Sequence, residues 1–160
     1  MKHLLTLLVL LPFAASAQPQ QRQTIYSTVQ NPRDFVRHIY TSINAFHSEY
    51  ILSPELSKTI NENIAATPRD EVPYLHFNPL CGCEGGEVLF QKMTNTSLVK
   101  PSDYMLSLKV FFSIAGYGER SVVLTLIPYG KMWRVDDVIY PDTGSLKKGL
   151  EEDTARQKKR

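Results

Sequence analysis

The sequence has few of the residues and motifs that commonly carry out chemistry. It contains two cysteines, Cys81 and Cys83, and no second cysteine pair to complete a four-ligand zinc site. It contains no G-x-S-x-G, H-E-x-x-H, Walker or dinucleotide-binding motif. We therefore predict a protein that is not an enzyme, with no catalytic residues, no metal site and no cofactor.

The chain also lacks a strong excess of charge of either sign. Lys and Arg together number 18 and Asp and Glu number 16, so the formal net charge is +2. A nearly neutral chain has no long-range attraction for polyanions. We therefore expect neither nucleic acid nor an anionic membrane as its partner.

No apolar run is long enough to span a bilayer, which takes about 20 residues. The most apolar stretch, residues 4–13, follows Lys2 and His3 and precedes the A-x-A sequence Ala15-Ser16-Ala17. This arrangement is typical of a secretory signal peptide. We expect residues 1–17 to be cleaved, residues 18–30 to form a flexible leader with a short strand at residues 24–26, and the mature protein to be soluble in the periplasm.

An antiparallel sheet is predicted from the apolar pattern of residues 87–140. Apolar residues recur at every second position in residues 104–114 and 120–127, and two turns that contain glycine separate these runs from each other and from residues 132–140. Side chains of a strand alternate between two faces, so each run predicts a strand with one buried face. In the last strand we expect Trp133, Val135 and Ile139 on one side. The second face of the sheet is half apolar, and we expect a helix, a second layer or a partner, including a second copy of the chain, to cover part of it.

Helices are predicted on both sides of these strands. One begins at Asn31-Pro32 and has an apolar stripe that runs from Phe35 to Phe46, and a second begins at Ser53-Pro54. A short third helix follows Gly144-Ser145, and residues 151–160 read as a polar, solvated tail. Helices followed by antiparallel strands predict an α+β fold, a single domain over residues 31–150 in which the N-terminal helices pack on a curved sheet.

Residues 69–86 lack periodicity and predict a long loop, which in a compact domain is often functional. We predict that this loop binds a protein partner. The residues assigned to the contact are Tyr74, His76, Phe77, Leu80 and Glu84.

The two cysteines lie within this loop. An exported protein favours a disulfide between Cys81 and Cys83, and Gly82 permits such a tight closure. Free thiols, a redox pair and a contribution to a metal site are the alternatives that the spacing leaves open.

Asp136 and Asp137 are adjacent carboxylates in the last predicted strand. On a regular strand they point to opposite faces, unless a bulge intervenes. One interpretation is a general base buried beside Trp133, where burial would raise its pKa. The other is one solvent-facing Asp and one Asp bonded to a loop or a helix end. A ligand pocket between helix and sheet is predicted to be lined by Tyr40, Phe112, Trp133 and Asp137.

Several of these segments together resemble a known superfamily. They are the aromatic first helix, the Leu-Ser-Pro-Glu-Leu start of the second, the Asn78-Pro79-Leu80-Cys81-Gly82-Cys83 loop and the strand that contains Trp133–Val138. Over residues 32–150 they resemble the uncharacterised periplasmic branch of the nuclear-transport-factor-2-like, or cystatin-like, superfamily. The resemblance implies a cone-shaped α+β fold with a pocket between helix and sheet. The superfamily contains enzymes, ligand binders and protein-binding subunits, so the fold does not choose the function.

Three functions follow from these observations. The first is a non-enzymatic periplasmic protein-binding module, most concretely an immunity protein that neutralises a toxin or effector delivered to the periplasm, or else an accessory subunit of an envelope complex. The second is a small-ligand carrier or sensor that uses the helix–sheet cavity. The third is an enzyme with Asp136 or Asp137 as its base.

Overall fold

The structure is a computed structural model that describes residues 31–42, 50–96 and 105–160. The predicted signal peptide, leader and short strand at residues 24–26 lie outside the described residues. So do Ile43 and Phe46, which the apolar stripe assigns to the first helix.

Helix α1 spans Pro32–Thr41 and begins where its sequence predicts. The Asn31 side chain accepts a hydrogen bond from the Arg33 amide at 2.9 Å, and Pro32 occupies the first turn, where a missing amide proton costs nothing. One face of the helix is buried through Phe35, Val36, Ile39 and Tyr40. The spacing of three and four residues therefore produces the apolar stripe that was predicted.

Helix α2 spans Pro54–Ala66. Ser53 caps it, because its hydroxyl accepts a hydrogen bond from the Leu56 amide at 3.0 Å. Leu56 is fully buried, and the helix ends before Pro68.

Five antiparallel strands form one sheet in the order β1-β2-β3-β4-β5. Their bounds are Val88–Asn95 for β1, Leu106–Ile114 for β2, Gly118–Tyr129 for β3, Met132–Tyr140 for β4 and Gly144–Ser145 for β5. Helix α3, Leu146–Gln157, follows β5 directly. The predicted α+β class, with two helices before an antiparallel sheet and a short helix after it, is confirmed.

The core lies between the helices and one face of the sheet. From β2 and β3 it receives the alternating set that the sequence predicts, and from the helices it receives the stripe of α1 together with Leu56, Leu146 and Leu150. The strand residues of this set are Leu108, Val110, Phe112, Ile114, Val122, Leu124 and Leu126.

Strand β4 departs from the predicted alternation. Val135 is opposite Leu126 and Asp137 is opposite Thr125, so Asp136 is an extra residue that forms a β-bulge. After the bulge, the residues of β4 that point to the core are at even positions instead of odd ones. Val138 is therefore the residue buried beside Trp133 and Val135, and Ile139 is only half-buried, so the prediction of Ile139 on that side is wrong.

The end of the chain also differs from its prediction as a polar tail, because α3 continues to Gln157 and buries Asp153 and Thr154. The amide of the fully buried Asn63 in α2 donates to the Asp153 carboxylate at 2.9 Å and to the Thr154 hydroxyl at 3.2 Å. A polar contact between two helices therefore continues the packing that Leu146 and Leu150 begin. The three described helices have 10, 13 and 12 residues, and none is long and apolar enough to cross a bilayer.

Candidate functional site

The loop at residues 69–86, called the 69–86 loop below, contains a closed turn in its second half. Cys81 and Cys83 form a disulfide with a Cα–Cα distance of 5.2 Å. The Asn78 amide donates to the Cys83 carbonyl at 2.9 Å, and the Asn78 side chain accepts from the Leu80 amide at 3.0 Å. Gly82 has a φ of 62°, a left-handed conformation that glycine adopts without strain. The predicted disulfide is the alternative that the structure contains, so in this state neither sulfur is available as a thiolate nucleophile or metal ligand.

Two tyrosine hydroxyls hold this turn against the domain. Tyr40 of α1 donates to the Leu80 carbonyl at 2.5 Å, and Tyr140 of β4 donates to the Pro79 carbonyl at 2.7 Å. Burial raises the pKa of the Tyr40 phenol well above its ordinary value, with a smaller contribution from Tyr140. Burial also raises the pKa of Tyr140, followed by the charges of Asp137 and Tyr74. Both phenols therefore stay protonated at neutral pH and remain hydrogen-bond donors.

The first half of the loop is attached to α3. Glu71 forms an ion pair with the guanidinium of Arg160, with oxygen–nitrogen distances of 2.6 and 2.9 Å. The Tyr74 ring lies against Gly149, where an added Cβ would collide with the phenol oxygen. The loop is thus attached to α1, to β4 and, through Gly149 and Arg160, to α3 and the residues that follow it.

The predicted partner-binding residues differ in exposure. The side chains of His76 and Glu84 are exposed, and His76 Nε2 lies 3.4 Å from a Glu84 carboxylate oxygen. Tyr74 and Phe77 are half-buried, and the Phe77 ring packs edge-on against Tyr140 with centroids 5.9 Å apart. Four of the five residues therefore reach the surface.

Leu80 is the fifth, and the structure does not place it at a contact surface. It is 2% exposed and packs in the core, because the turn directs its side chain inward while its carbonyl binds Tyr40. Val72, which the sequence analysis did not single out, is 71% exposed. Its signal in the sequence is an apolar residue that follows the polar run Arg69-Asp70-Glu71.

A cleft of about 970 Å³ opens beside Phe77, between the loop and strand β3. We call it the β3 cleft. The loop supplies one wall, β3 supplies the other, and the turn after β4 closes one end. Its lining residues are Val72, Pro73, Tyr74, His76, Phe77, Cys81, Gly82, Phe111, Glu119, Arg120, Ser121, Val122, Tyr140, Pro141, Asp142 and Thr143.

A second hollow, of about 700 Å³, lies on the other side of His76 and Phe77, between the end of α1 and β1. Ser42 lines it and is the last described residue before the gap at residues 43–49.

The predicted helix–sheet pocket is filled by its own lining. Tyr40, Phe112 and Trp133 are 4%, 0% and 2% exposed, and the rings of Tyr40 and Phe112 lie 5.5 Å apart between centroids. These side chains pack as core, so they do not form the walls of an open site. Asp137, the fourth predicted lining residue, is bonded to the start of α3.

Next to the bulge in β4, the carboxylates of Asp136 and Asp137 each accept a hydrogen bond from a residue at the start of a helix. Asp136 accepts a hydrogen bond from the Ser53 hydroxyl at 2.6 Å and lies 3.5 Å from Lys147 Nζ. Asp137 accepts from the Ser145 hydroxyl at 2.6 Å and from the Lys147 amide at 3.0 Å. Asp136 thus holds the start of α2 and Asp137 the start of α3. The prediction of a solvent-facing Asp does not hold at either position.

A scan of protein-family models and searches of curated proteins and of solved structures found no match to this chain. The fold described above therefore rests on the geometry of the chain itself. The resemblance to the nuclear-transport-factor-2-like superfamily stays a prediction.

Within residues 31–42, 50–96 and 105–160, no group of three or more His, Cys, Asp or Glu side chains is arranged to hold a metal ion. The polar groups that line the β3 cleft include the exposed His76, Glu119, Arg120 and Asp142. The surface of the cleft is therefore chemically mixed. It contains aromatic and aliphatic side chains, hydrogen-bonding groups and single charges of both signs.

Proposed function

We propose that this protein is an exported, non-enzymatic protein-binding module that works in the periplasm, and most concretely an immunity protein that neutralises a toxin or effector delivered there. The observation that carries the proposal is a loop that is bonded to three elements and presents Val72, His76 and Phe77 beside a large open cleft. We also propose membership of the nuclear-transport-factor-2-like superfamily, which the order of helices and antiparallel strands supports.

Pre-organisation is the physical reason that this loop suits recognition. A loop that must be ordered on binding costs about 0.5–1.5 kcal/mol for each immobilised flexible side chain. Here the disulfide and the hydroxyls of Tyr40 and Tyr140 already hold the turn in place. An aromatic anchor such as Phe77, flanked by a cleft, is the arrangement in which binding energy concentrates at protein interfaces.

The carboxylates and cysteines favour contact over catalysis. Asp136 and Asp137 are engaged with the starts of two helices, and Cys81 and Cys83 are joined to each other. A general base must be free to reach a proton of the substrate, and a thiol nucleophile must be reduced. The groups that the sequence offers for chemistry are therefore occupied in maintaining the fold.

Capture of a partner tests the binding proposal. The full-length gene product, tagged and expressed in its own host, is recovered from periplasmic extract at physiological salt. We expect one stoichiometric protein partner, with capture reduced at least tenfold, or about 1.4 kcal/mol, by Val72→Asp or Phe77→Ala. Ile64→Ala, at an exposed position of α2, is the matched control and should leave capture unchanged. Recovery of no stoichiometric partner counts against the proposal.

A co-culture experiment tests the immunity role. A strain lacking the gene should be killed by contact with its wild-type sister cells and rescued by the intact gene, but not by the Phe77→Ala form. Survival of the deletion strain would leave the accessory-subunit alternative, in which case the captured partner should be an envelope protein and not a toxin.

The size of the β3 cleft favours a second candidate function. Its volume of about 970 Å³ falls within the range of about 300–1,000 Å³ typical of small-molecule sites. A ligand carrier or sensor would therefore use this cleft, since the helix–sheet space is filled. Native mass spectrometry of protein purified from its host tests this, and a spectrum of bare polypeptide alone counts against it.

A homodimer through the sheet is the alternative to a monomer, and one contact disfavours it. On the sheet face opposite the core, Lys92 Nζ and Lys109 Nζ lie 5.0 and 5.2 Å from the centroid of the Phe111 ring. Two copies stacked through this face would bring these ammonium groups together. We therefore expect a monomer by sedimentation equilibrium.

A further inference from the structure

Among the strands that the structure describes, β3 has neighbours on both sides along only part of its length. It pairs with β2 from Gly118 to Leu126, but its pairing with β4 begins only at Val123. No described residue pairs with residues 118–122 on the side away from β2, so this side forms an open strand edge within the described part of the chain. Glu119, Arg120, Ser121 and Val122 of this edge line the β3 cleft.

The β2–β3 hairpin shows which main-chain groups face the cleft. The Tyr117 amide donates to the Ile114 carbonyl at 2.9 Å, and Ile114 is opposite Gly118 across the hairpin. Main-chain groups of an antiparallel strand point alternately to its two sides, so Gly118, Arg120 and Val122 direct theirs to β2. Glu119 and Ser121 consequently direct their amide and carbonyl groups into the cleft.

The wall opposite this edge is suited to the side chains of an added strand. Phe77 and Tyr140 provide an apolar surface, and Val72 extends it outward. A strand laid against β3 would turn every second side chain in the same direction, about 6.6 Å apart along the strand. Alternate apolar side chains could therefore reach the wall while the backbone pairs with β3.

The charges of the cleft add a second requirement. Arg120 on the β3 wall and Asp142 on the opposite side are both exposed, and neither forms an ion pair with another described residue. Toward the described residues, the Arg120 guanidinium donates to the Glu119 carbonyl at 3.3 Å. An occupant with a carboxylate beside Arg120 would pair with this cation.

We infer that the partner docks an extended polypeptide segment as an additional strand on the open edge of β3, with an acidic side chain beside Arg120 and an apolar side chain against Phe77 and Tyr140. Strand addition gives affinity through main-chain hydrogen bonds and specificity through alternate side chains. The inference rests on the proposed function, because it names how the partner binds.

Amide hydrogen exchange in the captured complex tests the inference residue by residue. We expect exchange at Glu119 and Ser121 to slow at least tenfold on binding, and exchange at Arg120 and Val122, whose amides already face β2, to stay unchanged. Slowing at none of the four, or at all four alike, would overturn strand addition while leaving the proposed function intact.

Variants give an independent measurement. Ser121→Pro removes the amide that faces the cleft without removing a bond to β2, and should reduce capture at least tenfold, whereas Ser121→Ala keeps the amide and should bind normally. In case Ser121→Pro does not fold, Arg120→Glu should also reduce capture at least tenfold, with Lys131→Glu in the exposed β3–β4 turn as the control of equal charge change.

Two further outcomes are decisive. Concentration-dependent protection of Glu119 and Ser121 in the isolated protein would assign the edge to a second copy and overturn the inference. Failure to recover any complex would remove the proposed function, and the strand-addition inference with it.

Discussion

Replacing Tyr40 with Phe removes one buried oxygen atom and leaves the ring in place. The lost hydroxyl is the donor to the Leu80 carbonyl, in a part of the core where Tyr40 is 4% and Leu80 2% exposed. Water cannot take the place of the donor without opening the core. We expect the carbonyl to be left unsatisfied, at a cost of about 1–3 kcal/mol in the free energy of unfolding.

Tyr140→Phe provides the internal comparison. Its hydroxyl donates to the Pro79 carbonyl at 2.7 Å, but both residues are half-buried, so water can reach the acceptor. We expect this change to cost about 0.5–1.5 kcal/mol, the net value of an ordinary hydrogen bond. We therefore expect Tyr40→Phe to be more destabilising than Tyr140→Phe, because the Tyr40 hydrogen bond is the more deeply buried of the two.

Urea denaturation measures the loss of unfolding free energy in both variants. The two losses added together are a large part of a typical domain stability of about 5–15 kcal/mol. Tyr117→Phe, at a tyrosine that is 66% exposed, is the control and should change little. A Tyr40→Phe value within about 0.5 kcal/mol of wild type, the range of surface substitutions, would refute the role assigned to this hydroxyl.

Three further predictions concern other contacts of the site. Because burial raises the pKa of Tyr40 and Tyr140, the folded state retains protons that the unfolded chain loses above pH ~10. These two groups should leave the free energy of unfolding unchanged below that pH and lower it above that pH by about 1.4 kcal/mol per pH unit for each tyrosine. Urea titrations at a series of pH values measure this dependence. Gly149→Ala should bring no gain in stability in the wild type, where its Cβ meets the Tyr74 phenol, but should stabilise a Tyr74→Ala variant by about 1 kcal/mol in a double-mutant cycle. Asp137→Ala should lower the free energy of unfolding by about 1–3 kcal/mol in urea, because it removes the acceptor for the start of α3.

Each of these predictions has its own contradicting result. The alkaline loss of stability should become shallower in the Tyr40→Phe/Tyr140→Phe double variant, and an unchanged slope would mean that other groups cause it. Equal effects of Gly149→Ala in both backgrounds would show that Tyr74 does not contact this glycine. Asp142→Ala, at an exposed position, is the control for Asp137→Ala, and equal effects at the two positions would contradict the anchoring role.

Local patterns predicted most of the secondary structure. The starts of α1 and α2 follow from a capping residue followed by proline, and the buried face of β2 follows from strict alternation that ends at Ile114. These signals depend on residues a few positions apart, which a sequence displays directly.

The register of β4 could not be predicted in this way. The bulge at Asp136 occurs together with a hydrogen bond to Ser53, which is 83 positions away, and it moves Val138 into the core in place of Ile139. The inward position of Leu80 is hidden for the same reason, since it depends on a hydroxyl 40 positions earlier in the chain.

The surface of the site was predicted only in part. Loop composition indicated the 69–86 loop and four side chains that reach its surface, two of them exposed and two half-buried. The β3 edge, in contrast, results from the point at which two strands diverge. That divergence is a property of the tertiary structure, and no residue type in Glu119–Ser121 signals it.

The bulge in β4 has a consequence for how the sequence of this protein can change. Two consecutive residues, Asp136 and Asp137, set the positions of two separate helices through Ser53 and Ser145. A one-residue insertion or deletion in β4 would dislocate both helices together, whereas the turn at Gly130 can vary in length without that effect. Related chains should therefore differ in length at the hairpin tips and keep the residue count of this strand.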